Sequence, residues 1–346
     1  MPMKVFVTGG CGFLGSHVCE YFIKKGDEVI SYDNMTKYEI KRTGLATEEV
    51  RDYNWNYLKK LGIKLIKADI RNFEELVDSS SGCNYIIHTA AQPAMTISWE
   101  EPRLDLETNV IGTFNVLDTA RRHNIPVACC ATVHVYGNSI NEKLKETENR
   151  YVFQDKSEFI DENYPTLGGK LSPLHGSKIT GDIYTRVFSD TYNLKAASFR
   201  LTGIYGTRQF GGEDHGWVAN FAIRSVLDWP LTIFGTGKQV RDIIYATDVC
   251  EAFDAFYKKQ VSGIYNIGGG RRTMISLLEC IALIEEINGR KCQVKFAPDR
   301  FADLRYFVCD ISKAKKELDW EPRIVPREGI EILLDWIKEN RVFLKS

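Results

Sequence analysis

Short apolar runs separated by longer amphipathic stretches fill the first two hundred residues. The run Lys-Val-Phe-Val-Thr at 4–8 is followed by similar ones at 28–32, 64–67, 85–88, 127–131 and 196–200. Runs of this length, rich in Val, Ile and aromatic residues, predict buried strands. Residues 15–25 carry helical periodicity that Gly26 ends, and 104–123 and 177–192 repeat apolar positions at the same spacing. Strands alternating with helices predict an α/β fold built on a doubly wound parallel sheet. The connection over 33–60 is longer and more polar than usual, with a helix expected near 48–61. From about residue 203 the alternation fades into a mixture of Gly, aromatic and Arg residues. This predicts a dinucleotide-binding domain over 1–202, with a returning segment near 240–262, and a smaller α/β substrate-binding lobe over 203–346. A last helix near 326–340 puts Ile330, Leu333, Leu334 and Ile337 on one face.

Composition narrows the partners. The 346 residues include 45 basic and 46 acidic side chains, for a net charge of −1. That balance points to neither nucleic acid nor a membrane surface. No apolar stretch approaches the ~18–20 residues of a membrane span, and the N-terminal apolar run is too short for a signal peptide. Nine cysteines occur without metal-ligand spacing, so no metal site is expected. Cys129 and Cys130, in an apolar run, read as buried thiols, and free thiols suit a cytoplasmic protein.

The chemistry starts at Thr8-Gly9-Gly10-Cys11-Gly12-Phe13-Leu14-Gly15, between the first strand and the first helix. Such a turn lets a pyrophosphate reach the free N–H groups at the helix N-terminus. Asp33, beside Asn34 at the end of the second strand, is placed to accept hydrogen bonds from the adenosine ribose. A carboxylate there repels a 2′-phosphate, so NAD is expected rather than NADP. Asp69 and Ile70, after the third strand, would flank the adenine.

With those residues the chain resembles the extended short-chain dehydrogenase/reductases, the NAD-dependent epimerase/dehydratase group, over nearly its whole length. His88-Thr89-Ala90-Ala91-Gln92 resembles their second cofactor motif, and Asn109-Val110-Ile111-Gly112-Thr113 the segment whose Asn has a structural role near the active site. The strand before Val135-Tyr136-Gly137 carries the family's catalytic Ser/Thr, which falls on Thr132. Arg241-Asp242 resembles the segment whose Arg grips the substrate diphosphate. The resemblance implies a nucleotide-diphosphate sugar as substrate and a homodimer formed by helices near 104–123 and 177–192.

Ser172-Pro173-Leu174-His175-Gly176-Ser177-Lys178 resembles the family's catalytic segment, with one departure. The tyrosine that exchanges a proton with the sugar, four residues before Lys178, is here Leu174. Thr132 and Lys178 remain, Lys178 also as the group that holds the nicotinamide ribose. Substitutes for the tyrosine are His175, His134, which shares the face of Thr132 if the strand runs on, and, less well placed, Tyr136 and Tyr164. Val133-His134 stand where 4,6-dehydratases carry Asp-Glu, which speaks against water elimination. Arg208, Arg241 and Arg305 are candidates to neutralise a diphosphate, and Phe234 and Trp217 to pack on a base. The function expected is an epimerase acting at C2 or C4 through a transient keto sugar. A dehydrogenase, a dehydratase or a catalytically silent binding protein are the alternatives.

Overall fold

The computed structural model describes residues 2–45, 47–155 and 158–344. Seven strands form one parallel sheet: β1 (Lys4–Thr8), β2 (Glu28–Asp33), β3 (Lys64–Lys67), β4 (Tyr85–His88), β5 (Val127–Thr132), and two introduced below as β8 and β12. Their order is β12-β8-β5-β4-β1-β2-β3. Between β5 and β8 lie β6 (Leu144–Glu146) and β7 (Tyr151–Phe153), a small antiparallel pair. Strand β8 (Ala196–Leu201) then completes the sixth position of the main sheet.

Side-chain alternation in β1 explains the layering. Val5 and Val7 enter one core with Val18, Phe22, Phe199 and Phe253. Phe6, pointing the other way, enters a second with Ile30, Ile86, Val116 and Phe188. Both faces are covered, so the strands are apolar throughout. The chain reverses direction across the sheet between β1 and β4, and the crevice beyond their C-terminal ends is where such sheets bind ligands.

Further strands include β9 (Gly203–Tyr205), β10 (Leu231–Phe234), β11 (Val240–Tyr245) and β12 (Gly263–Ile267). Strands β9 and β11 pair in parallel, Gly203 opposite Ile243, and β12 returns to the main sheet beside β8. The segment that joins the main sheet is thus 263–267, just after the expected 240–262. The helix Ala246–Lys259 packs against helix α1 (Phe13–Lys24). A third core gathers Val218, Phe221, Ile243 and Ile330 with Leu333, Leu334 and Ile337 of the helix Pro326–Glu339.

Two local differences from expectation bear on the site. The expected helix over 104–123 is Pro102–Asp105, one wide π turn Leu106–Ile111, and the helix Gly112–His123. The π turn carries Asn109, and such turns gather at functional sites. The long connection forms a short 3₁₀ turn, Tyr38–Arg42, and helix α2 (Thr47–Lys60). No helix among the described residues is long and apolar enough to cross a membrane.

Candidate active site

The glycine turn is built by close packing. Gly9 has φ +69°, and a Cβ on it would lie 2.6 Å from Ala90 Cα; one on Gly15 would lie 2.1 Å from Gly9 O. Side chains there would push the turn away from β4 and break the start of α1. Asp33 Oδ2 accepts the Cys11 N–H at 2.9 Å, and Oδ1 accepts the Met35 N–H at 2.7 Å. The end of β2 is thereby pinned to the glycine turn.

A hollow opens above this floor. Gly9, Gly12, Asp33, Asn34, Ile70, Ala90, Ala91 and Gln92, all named from the sequence as candidates, line it. Asp69 does not: its carboxylate accepts Asn34 Nδ2 at 2.8 Å and is paired with Arg71 at 2.8 Å, which draws it off the wall. Lys37 and Tyr38 of the long connection also line the hollow. Their position follows from a chain fold with no local motif to announce it. Asn109 stands behind the wall. Its Oδ1 accepts the Gln92 N–H at 2.9 Å, and its Nδ2 donates to Gln92 O at 3.0 Å and Ser177 Oγ at 3.2 Å. It thus ties the Ala90–Gln92 loop to the helix that carries Lys178.

The hollow runs into a larger cavity of about 510 Å³, which shares Gly12, Thr89, Ala91 and Pro93 with it. Phe13, Leu14, Thr132, His134, Leu174 and Lys178 line the near part, and Arg208, Phe234, Arg241 and Trp217 also line the cavity. Lys178 comes from the helix Pro173–Tyr192, which starts with Ser172 as N-cap and Pro173 at its first position. Leu174 lies one helical turn before Lys178, on the same face. Burial pushes the Lys178 amine below the usual lysine range, and no hydrogen bond from it is made to a described residue.

The histidines differ from expectation. Strand β5 stops at Thr132, and Val133–Tyr136 turns into a 3₁₀ helix, so a continuing strand does not place His134. The turn itself brings it to the cavity, and its N–H donates to Thr132 Oγ1 at 3.3 Å. Burial, with His175 and Arg241 nearby, pushes the His134 ring down to about 3. His175 is fully enclosed and off the cavity wall. It is the N3 residue of a capping box with Ser172. Tyr136 is bound to Asn266 at 2.8 Å and Arg200 at 2.9 Å. Tyr164 is off the wall as well, under the Lys143 ammonium.

The arginines sort into three kinds. Arg241 is largely buried at the cavity, donating to Val240 O at 2.9 Å and Leu304 O, with Asp303 at 3.4 Å as its ion-pair partner. Arg208 also reaches the cavity, but it is paired with Glu20 at 2.6 Å and stacked on Tyr57 at 4.4 Å, so its charge is spent bracing α1. Arg305 points away, paired with Asp299 at 2.7 Å over the Tyr151 ring, and is absent from the wall. Arg300 takes the cavity position instead. The sequence offered no sign to choose between two arginines five residues apart.

The strand order, the close-packed glycine turn and the acidic end of β2 define a dinucleotide-binding α/β enzyme with a substrate cavity beside the cofactor crevice. Comparison with known proteins makes the assignment specific. The NAD dependent epimerase/dehydratase family matches residues 5–268. CDP-paratose 2-epimerase of Salmonella typhi is 34% identical, over 96% of this chain and 99% of that one. The structure of UDP-glucose 4-epimerase of Thermus thermophilus with NAD superposes with a TM-score of 0.79 at 29% identity, covering 97% and 99% of the two chains. UDP-glucuronic acid 4-epimerase of Bacillus cereus, with UDP-glucuronic acid and NAD, gives 0.81 at 26%, covering 98% and 100%. The chain belongs to the NAD-dependent epimerase/dehydratase family and is an epimerase-type enzyme with NAD as cofactor. The glycine cradle, the helix N-terminus and Asp33 fit that cofactor.

Proposed function

We propose that the protein is a nucleotide-sugar epimerase that passes through a transient keto sugar, at C2 or C4, and resembles CDP-paratose 2-epimerase. The observation that carries this reading is the continuous cavity from Gly12 past Thr132, His134 and Lys178 to Arg241 and Arg300. Its volume of about 510 Å³ suits a sugar held between a cofactor and a diphosphate clamp. Gln92-Pro93-Ala94-Met95-Thr96-Ile97-Ser98 and Tyr205-Gly206-Thr207-Arg208-Gln209-Phe210 fit the paratose-epimerase subgroup, as does the 34% identity with that enzyme.

When bound, NAD supplies a reversible two-electron oxidation of the sugar carbon. Gly9, Gly12, Asp33 and the Ala90–Gln92 loop hold it, and Lys178 steadies its nicotinamide end. Arg241 and Arg300 hold the diphosphate. Thr132 receives the backbone N–H of His134 on its oxygen, which leaves its own proton to donate to the sugar. The Lys178 amine, driven by burial toward its uncharged form, takes the proton of the sugar hydroxyl and gives it back to the keto oxygen after the carbon is reduced from its other face.

Leu174 gives a second reading its footing, a protein that binds NAD and sugar nucleotide without turnover. The deciding experiment assays bound NAD, then incubates the protein with CDP-, UDP- and GDP-sugars in deuterated water and follows products by NMR. An epimer from one sugar is expected; binding with no product from any of them sinks the epimerase reading. Leu174→Tyr puts a phenol into a cavity arranged without it, and should lower turnover at least tenfold. Activity in that variant alone would identify a degenerate enzyme. Val133 and His134 in place of an acidic pair argue against a dehydratase.

We further propose a homodimer, supported by exposed Ile111, Phe114, Ile183, Tyr184 and Val187 on two adjoining helical segments. All nine cysteines are free thiols, which supports a cytoplasmic setting.

A further inference from the structure

Two ring nitrogens without partners lie on neighbouring histidines beside the missing tyrosine. His175 Nδ1 accepts the backbone N–H of Ser172 at 3.0 Å and lies 2.7 Å from Ser172 Oγ. A backbone N–H can only donate, so Nδ1 carries no proton and a neutral His175 must carry it on Nε2. Burial holds the ring toward that neutral form. The Nε2–H is then a donor enclosed in protein with no acceptor in place. The His134 ring stands nearly perpendicular to it, at 87°, with centroids 5.6 Å apart. Nδ1 of His134 is likewise enclosed and without a partner. Each is costly alone, and the two do not bond one another as the rings stand; a small ring rotation that joined them would remove both costs. The opposite tautomer of His134 would set two donors against each other.

We propose that His175 donates from Nε2 to Nδ1 of His134, fixing His134 as its Nε2–H tautomer, and that His134 is the hydrogen-bond donor to the sugar oxygen in place of the tyrosine hydroxyl. His175 is a positioning residue, and His134 touches the substrate. This rests on the epimerase reading above, because it presupposes a sugar oxygen in the cavity that His134 lines. No proton is transferred from His134: its N–H stays in place and steadies the oxygen as the hydroxyl becomes a ketone and returns. The capping box thus does two things, starting the helix that carries Lys178 and setting a tautomer one residue layer away.

The test is long-range ¹H–¹⁵N correlation NMR on histidine-labelled protein without substrate. Protonated Nε2 and bare Nδ1 are expected on both His134 and His175. A proton on His134 Nδ1 overturns the proposal. His175→Gln keeps an acceptor for Ser172 and an amide donor, so His134 should hold its tautomer. His175→Glu keeps the cap but offers His134 an acceptor, so the tautomer should flip and turnover fall roughly 10²-fold. An unflipped tautomer in that variant also overturns the proposal. If His175→Glu does not fold, the wild-type and His175→Gln spectra still decide. His134→Leu should cost roughly 10²–10³-fold in turnover; unchanged turnover overturns the donor role. The two readings fail separately. The expected tautomers without product from any sugar leave the histidine pairing standing and sink the epimerase. Product together with a His134 Nδ1 proton does the reverse.

Discussion

The guanidinium of Arg300 lies over the ring of Phe234, 3.9 Å from its centroid, and both line the substrate cavity. It donates one hydrogen bond to Glu213 O, and its nearest carboxylate, Asp214, is 3.9 Å away, so the charge is only loosely met. Arg305 has a close carboxylate partner at 2.7 Å and faces elsewhere. Arg300→Ala should therefore weaken binding of CDP or UDP by roughly 10–100-fold, the worth of a charged hydrogen bond. Arg305→Ala should change it less than about threefold. Titration calorimetry with the nucleoside diphosphates measures both, and equal losses would refute the division of roles.

Asp33 has two tasks, accepting the N–H groups of Cys11 and Met35 and facing the cofactor hollow. Asp33→Ala leaves a donor unpaired in the buried turn, at a cost of about 1–3 kcal/mol. It should also lower NAD affinity more than tenfold. Thermal unfolding with and without NAD separates the effects: a lower midpoint with an unchanged NAD-induced rise would show that Asp33 serves the turn alone.

Asp242 supplies a pH signature. Its Oδ2 accepts the N–H groups of Gly270 at 3.0 Å and Cys309 at 3.2 Å, whereas Oδ1 is enclosed without a partner. Burial pushes this carboxyl up to about 7. Between the ordinary carboxylate range and that value the folded protein holds a proton that the unfolded chain releases. Stability must then fall as pH rises through the window, and level off above it. Asp242→Asn, neutral throughout, keeps an acceptor for both N–H groups and should lack the fall. From pH 5 to 7 wild type should lose on the order of 2–3 kcal/mol relative to the variant. Parallel denaturation curves at the two pH values would contradict this.

The helices Gly112–His123 and Pro173–Tyr192 meet through Phe114 and Tyr184, at 5.5 Å between ring centroids. With the end of the π turn they leave an apolar strip outside, including Ile111 of that turn at 47% and Ile183 at 51% exposure. The homodimer proposed above would cover this strip. Ile111→Glu with Ile183→Glu should convert a dimer to a monomer in sedimentation velocity, with the far-ultraviolet circular dichroism unchanged. A monomeric wild type would remove the assignment.

Much of the cofactor half was legible in the chain. Strand runs, a glycine turn and an acidic residue at a strand end are local features, written in consecutive residues, and Gly9, Gly12 and Asp33 lie where those features put them. The seventh strand, β12, escaped notice because it follows the irregular region and takes its place only by returning beside β8. That Asp69 stands off the hollow's wall, its carboxylate paired with Arg71, was not legible in the chain.

The amino-acid sequence by itself determined the class of sheet, the cofactor turn, and the absence of the tyrosine at Leu174, since each depends on residues close along the chain. Only the tertiary structure decided which arginine reaches the cavity, that His175 is sealed behind the wall while His134 lines it, and that their unpaired nitrogens lie on neighbouring, nearly perpendicular rings. These are relations between segments far apart along the chain. They are set by how strand ends and loops pack, and burial then dictates which nitrogen carries a proton and which charge is left free.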